Sequence, residues 1–216
     1  MNKLYMLAGL LSCSLLLNAQ TFTDDFESYN VGDYIGANNP VWTTWSGTTG
    51  GAEDVMVTNN NASNGTQAIY FSSTAANGGP QDVVLPFGGA YNSGHFSYKS
   101  SFFVESGKGA YFNFQGSTTI GQVYAMNCFM VQNGQLNLDN GDGLLLSTTY
   151  PQNSWFELEI SINLNTNNWE LFIDGVSQGV FQNTENRVAS LDLYPVNNSY
   201  GGNNNSGYFV DEGVRE

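Results

Sequence analysis

Histidine occurs once, cysteine twice, and lysine and arginine together only five times in 216 residues. Each scarcity removes a class of function. Five bases against nineteen acids leave a formal net charge of -14, and such a surface repels a polyanion such as nucleic acid. One histidine, His95, and one cysteine beyond the leader, Cys128, cannot assemble a zinc site. His95 also stands at the start of a strand with no Ser or Cys partner in a recognisable motif. Cys128, in the apolar run Met126-Asn127-Cys128-Phe129, reads as a small buried hydrophobe. After residue 19 nothing approaches the roughly 20 apolar residues that a spanning helix needs. Charged residues make up 11%, under half the usual share of about 25%. Asparagine (28) and glycine (25) fill the gap, and 14% aromatics are enough apolar surface to argue against disorder.

The first segment is a targeting signal by pattern. Met1-Asn2-Lys3 is followed by apolar Leu4 to Leu17 and then Asn18-Ala19, as in a secretory signal peptide cleaved after residue 19. Leu10-Leu11-Ser12-Cys13 resembles a lipoprotein box, but Leu15, Leu16 and Leu17 carry the apolar run past the cysteine. The expectation is a leader over 1–19 and one secreted or cell-surface domain over 20–216, with a lone cysteine and hence no internal disulfide.

That domain reads as strands. In Trp155–Leu164, Phe156, Leu158, Ile160, Ile162 and Leu164 alternate with Glu157, Glu159, Ser161 and Asn163, the period of a half-buried antiparallel strand. An Asn-rich turn leads into Trp169–Ile173, closed by Asp174-Gly175, a strong turn pair. Further strands are expected at Thr21–Tyr29, Val55–Thr58, Gln67–Ser72, Asp82–Phe87, His95–Glu105, Ala110–Gln115, Gln122–Gln132, Gln135–Asp139, Leu144–Ser147, Val188–Val196 and Tyr208–Val214. Gly, Asn and Ser clusters punctuate them, and no helical stripe is present. The fold class is all-β, a two-sheet antiparallel jelly-roll sandwich.

Candidate chemistry lies in the acids. Glu157 and Glu159 share one face of one strand, where a retaining glycosidase would need carboxyls about 5 Å apart; a solvent-facing polar stripe is the simpler account. At the ends of the domain, Asp25 and Glu27 share a face of the first strand and Asp211 sits inside the last. If those strands are neighbours the three carboxylates either face water or converge on a cation, for which hard oxygens favour Ca²⁺. Asp139-Asn140-Gly141-Asp142-Gly143 departs from the EF-hand loop and reads as a hairpin turn.

Tyr150–Ile162 followed by Asn168–Gly175 resembles the central hairpin of the concanavalin A-like lectin/glucanase superfamily, a pattern shared by laminin G-like modules. Asp25-Phe26-Glu27 is similar to the start of MAM-type domains, and its pairing with Tyr208-Phe209-Val210-Asp211 resembles non-catalytic modules in secreted polysaccharide-active proteins of Bacteroidetes. The resemblance implies a jelly roll with calcium at Asp25, Glu27 and Asp211. The catalytic Glu-x-Asp-x-Glu strand of the glucanases is not matched by Glu157-Leu-Glu159-Ile-Ser161.

The expectation is a secreted non-catalytic carbohydrate-binding module for a polysaccharide or other glycan. Trp42, Trp45, Tyr91 and Tyr194, near loops or strand ends, are the candidate sugar platforms. An acidic surface suits a neutral or cationic glycan better than a sulfated one. The alternatives are a cell-surface adhesion module with protein partners, or a divergent polysaccharide hydrolase or lyase using Glu157 and Glu159.

Overall fold

Period-two alternation decides which side chains enter the core. In β11 (Trp155–Asn163) Phe156, Leu158, Ile160 and Ile162 are buried while the residues between them are half-exposed. β11 pairs antiparallel with β12 (Asn168–Ile173), so the expected hairpin is present from Leu158 opposite Ile173 to Asn163 opposite Asn168. The Asp174-Gly175 turn has positive φ at both residues (49° and 72°), the backbone that a tight two-residue hairpin requires.

The computed structural model describes residues 22–215; the expected leader over 1–19 lies outside them. An eight-stranded sheet runs in the order β13 (Val176–Phe181), β12, β11, β6 (His95–Val104), β15 (Ser206–Arg215), β4 (Ala68–Ser73) and β3 (Val57–Thr58), with β1 (Phe22–Asp24) beside β15. A seven-stranded sheet runs β10 (Leu144–Thr149), β9 (Gln135–Asp139), β8 (Tyr124–Met130), β7 (Ala110–Gln115), β14 (Val188–Leu193), β5 (Val83–Tyr91) and β2 (Thr43–Thr44). All of these pairings are antiparallel. The single helical turn among the described residues is Ile35–Asn38. The expected jelly-roll β-sandwich is the observed fold.

Aromatic rings join the two layers. Phe102 of β6 stacks on Phe112 of β7 at 5.7 Å, and Phe114 meets Tyr98 at 5.6 Å and Trp169 at 6.4 Å. Such pairs contribute about 0.5–1.5 kcal/mol each beyond their area, and a disulfide-free core rests on them. Cys128 lies in this core, free and fully buried.

The first and last strands are neighbours, but the first strand is shorter than expected. β1 ends at Asp24, and Phe26 has φ 59°, so the expected extended face carrying both Asp25 and Glu27 does not exist. The left-handed Phe26 turns its ring into the core and leaves Asp24 as the buried carboxylate. Asp24 accepts from the Phe26 N–H (3.1 Å), the Tyr29 hydroxyl (2.8 Å) and the Trp42 indole (2.9 Å). β15 pairs with β4 through Val210 and with β1 from Gly213. A bulge at Glu212 (φ 50°) separates the two stretches, as bulges do where a strand changes partner.

Asp24→Ala leaves the Trp42 indole and the Tyr29 hydroxyl without their acceptor, so unfolding free energy should fall by about 2–4 kcal/mol. Exposed Asp25→Ala should cost less than about 0.5 kcal/mol. Chemical denaturation of both variants checks the contrast, and equal effects would refute it.

Candidate functional site

The seven-stranded sheet departs from simple alternation. In β7, Ala110, Phe112 and Phe114 enter the core, yet Tyr111, Asn113 and Gln115 on the opposite face are buried too. The same holds for Ser190 and Asp192 in β14. Polar side chains buried on a sheet's outer face must find partners, and register supplies them. Asp192 lies opposite Asn113, Asn113 opposite Asn127, and Asn127 opposite Asp139, so a polar row crosses β14, β7, β8 and β9. Directly opposed side chains on strands about 4.8 Å apart are within reach of one another. Asn113 Nδ2 donates to Asp192 Oδ2 (2.6 Å), and Asn127 Nδ2 donates to Asp139 Oδ1 (2.8 Å). The hydroxyls of Tyr111 and Tyr200 donate to Asn127 Oδ1 and Asp139 Oδ2, both at 2.7 Å. Gln115 donates to Asn113 Oδ1 and accepts from the Gly121 N–H.

Above one end of this row lies a cleft of about 410 Å³, within the size range of small-ligand sites. Trp45 and Tyr124 form one wall, stacked at 6.2 Å and 28°, and Tyr194 is a further aromatic lining residue. Both aromatic elements lean on glycine. A Cβ at Gly121 (φ 78°) would come within 2.7 Å of the Trp45 ring, and one at Gly78 (φ 74°) within 2.6 Å of Tyr194. The Tyr194 hydroxyl donates to the Asn77 carbonyl, and the Trp45 backbone N–H donates to the Asp82 backbone carbonyl at 3.0 Å. The indoles of Trp42, Trp155 and Trp169 are bonded to Asp24, Asn61 and Asn186, whereas no such bond ties that of Trp45 among the described residues.

Asp82 and Asp192 form the floor. Each acid raises or lowers the other's hold on a proton, and among the described residues neither Asp82 Oδ1 nor Asp192 Oδ1 has a hydrogen-bond partner. Burial, and then the charge of its neighbour, holds Asp82 well above the ordinary carboxylate range. Burial raises Asp192 as well, against hydrogen bonds from Asp82 and Asn113 that pull it down. Two carboxyls raised in this way hold a proton to higher pH than free carboxyls do. Among the described residues no lysine, arginine or histidine lines the cleft.

Of the four expected platforms, Trp45 and Tyr194 line this cleft. Trp42 does not: it is 3% exposed, packed between Phe22 and Phe26 in the core, so no sugar can reach its face. Tyr91 lies outside the cleft, packed against the core with its hydroxyl on the Phe87 carbonyl. The expected metal ligands are not gathered into a site. Among the described residues no three Asp, Glu, His or Cys side chains are placed to hold one ion. Asp211 accepts from the N–H groups of Ser63, Asn64 and Glu212, and Glu27 from those of Thr66 and Gln67 and from the Thr66 hydroxyl. Asp25 accepts from the Glu27 N–H and is exposed. With three of about four acceptor positions on Asp211 and Glu27 taken by donors, the two carboxylates pin the loop 63–67, and the residues present do not fit a calcium ion. Glu157 and Glu159 lie on the outer face of the other sheet, both paired with Lys99 at 3.1 and 3.6 Å, which is the solvent-facing stripe. His95 is exposed.

The sequence reading missed Asp82, Asp192, Asn113 and Tyr124. A signal was present: Tyr111, Asn113 and Gln115 alternate with Ala110, Phe112 and Phe114, and Asp192 sits between Leu191 and Leu193. A lone acid at the outward position of an apolar strand asks for a partner.

No protein-family description and no characterised relative matches the sequence. Among solved structures the fold is similar to a sialidase (10% identity, TM-score 0.56), aligning 86% of this chain with only 18% of that one. It is also similar to the carbohydrate-binding module CBM66 from Bacillus subtilis (11% identity, 82% and 95% of the two chains, TM-score 0.51). The carbohydrate recognition domain of Emp47p is a third (11% identity, 90% and 93% of the two chains, TM-score 0.50). The chain spans less than a fifth of the sialidase it matches. At these identities the likeness establishes the concanavalin A-like jelly-roll fold.

Because the folded pair keeps a proton that unfolded carboxyls lose near pH 4, its contribution to stability is fully present only at low pH and is lost as pH rises toward the raised folded value. Asp82→Asn removes that titration. Relative to the parent, its thermal midpoint should rise between about pH 5 and pH 8. A pH-independent difference between the two proteins would contradict a retained proton.

Proposed function

We propose that the chain is a secreted, non-catalytic carbohydrate-binding module that takes an uncharged or cationic glycan in the cleft over the seven-stranded sheet. The observation that carries this reading is the cleft itself: Trp45, Tyr124 and Tyr194 stand over a floor of Asp82, Asp192 and Asn113 without any base. Aromatic faces pack on the apolar C–H faces of sugar rings, while carboxyl and amide groups take up the hydroxyls, the division of labour that ligand clefts use. The absence of lysine, arginine and histidine from the lining disfavours sulfated or uronic chains, whose charges would meet only like charges. Export is supported by the leader pattern over 1–19.

Hydrolysis by the acid pair is disfavoured by geometry. A retaining glycosidase places its two carboxyls about 5 Å apart and an inverting one farther, so that a glycosidic bond or a water fits between them. Asp192 is almost fully buried and Oδ1 of each acid is out of reach, so the pair does not flank a glycosidic bond or a water in this way. Glu157 and Glu159 share Lys99 on the solvent-facing side of the other sheet, away from the cleft.

A glycan array should show binding to uncharged or amino-bearing oligosaccharides and none to sulfated ones. Trp45→Ala should weaken that binding by about tenfold or more, the usual loss for a stacked aromatic anchor, with the thermal midpoint preserved. Binding to no glycan, or full binding by the variant, would defeat this reading.

A further inference from the structure

We infer that the cleft selects a glycan bearing a protonated primary amine, an amino sugar whose ammonium group seats against Asp82 and Asp192. The inference rests on the carbohydrate-binding reading and specifies its ligand.

The chain's treatment of its other buried acids shows what is unusual about this pair. Asp54 accepts from four backbone N–H groups, those of Gly36, Ala37, Gly50 and Val55. Asp24 and Asp211 each have three donors. Asp192 is 3% exposed, as buried as these, yet its one donor from outside the pair is Asn113. Its Oδ1 and that of Asp82 meet none. Both residues line the cleft and Asp82 is only part-buried, so the charge of the pair is met there by whatever enters it.

An ammonium group is matched to that need. It brings three donors and a full positive charge, and a charge-assisted hydrogen bond to a carboxylate is about twice as strong as a neutral one. Seated beside Asp82, it sets a full positive charge against the buried acids. A hydroxyl can donate a single hydrogen bond and leaves the pair's charge as it was. An acetylated amine offers one weak donor and no charge, and its bulk must fit over a floor already closed by Asn113.

The test uses the full chain and three oligosaccharides of equal length: β-1,4-linked glucosamine, its N-acetylated counterpart and the corresponding glucose oligomer, titrated calorimetrically at about pH 6, where the sugar amine is protonated. The glucosamine oligomer should bind at least about tenfold more tightly than either of the others, the worth of one charged hydrogen bond. Asp82→Asn and Asp192→Asn, each checked for a native circular dichroism spectrum, should abolish that preference. If the uncharged oligomers bind as tightly as the amine, the inference falls and the carbohydrate-binding reading stands; if none of the three binds, both fall. A preference that survives both substitutions is general attraction to an acidic surface and overturns the inference.

Discussion

A carboxylate taken out of water must be met by donors, and this chain has almost no cationic side chains with which to meet it. Five bases serve nineteen acids, and the ion pairs present are on the surface: Lys99 with Glu157 and Glu159, Lys108 with Glu105, Arg187 with Glu185. Exposed pairs of this kind contribute little. The buried acids are instead met by the backbone, through the bulge around Asp211, the left-handed turn after Asp24 and the loop N–H groups around Asp54. Much of the irregular backbone of the domain follows from that one electrostatic requirement. Asp82 with Asp192 is the place where it is not met internally, and that place opens onto a cleft. A cost of burial left uncompensated beside aromatic walls is what singles out this cleft as the candidate site.

The two sheets divide the labour. On the eight-stranded sheet the outer face carries the Lys99 pairs and a row of aromatic residues, Tyr70, Phe209, Phe103 and Trp155, packed on one another at tilted or edge-on angles. Asn61 ties down the Trp155 indole and Lys108 with Glu105 closes over Tyr70. Rings that are mutually inclined and held by neighbours give no flat platform for a sugar. On the seven-stranded sheet, Trp45 and Tyr194 on loops and Tyr124 at the start of β8 stand around a polar floor, and glycine at 121 and 78 lets the chain press against two of those rings.

The fold was legible in the sequence wherever one strand face meets water. β11 and β12 show clean alternation, the Asn-rich turn between them announces their hairpin, and Asp174-Gly175 announces the turn into β13. Legibility failed where both faces are buried. β7 and β14 hide a polar face within sequences that look merely apolar, and the pairing of Asp192 with Asn113 depends on registers between segments 79 residues apart. Trp45 and Tyr194 were visible as loop aromatics, but Trp42, three residues from Trp45, looks the same and is a core residue because Asp24 captures its indole. The choice of Asp25 over Asp24 failed for a local reason: a positive φ at Phe26 ends the strand that alternation extends to Tyr29.

The four tryptophans allow the central claim to be read from four indole N–H signals in an NMR titration with any oligosaccharide the protein binds. Three of those groups are engaged with Asp24, Asn61 and Asn186, so the account requires the Trp45 signal to move with saturation while those of Trp42, Trp155 and Trp169 stay in place. Movement of the Trp155 signal with Trp45 unchanged would put the ligand on the opposite sheet and contradict it.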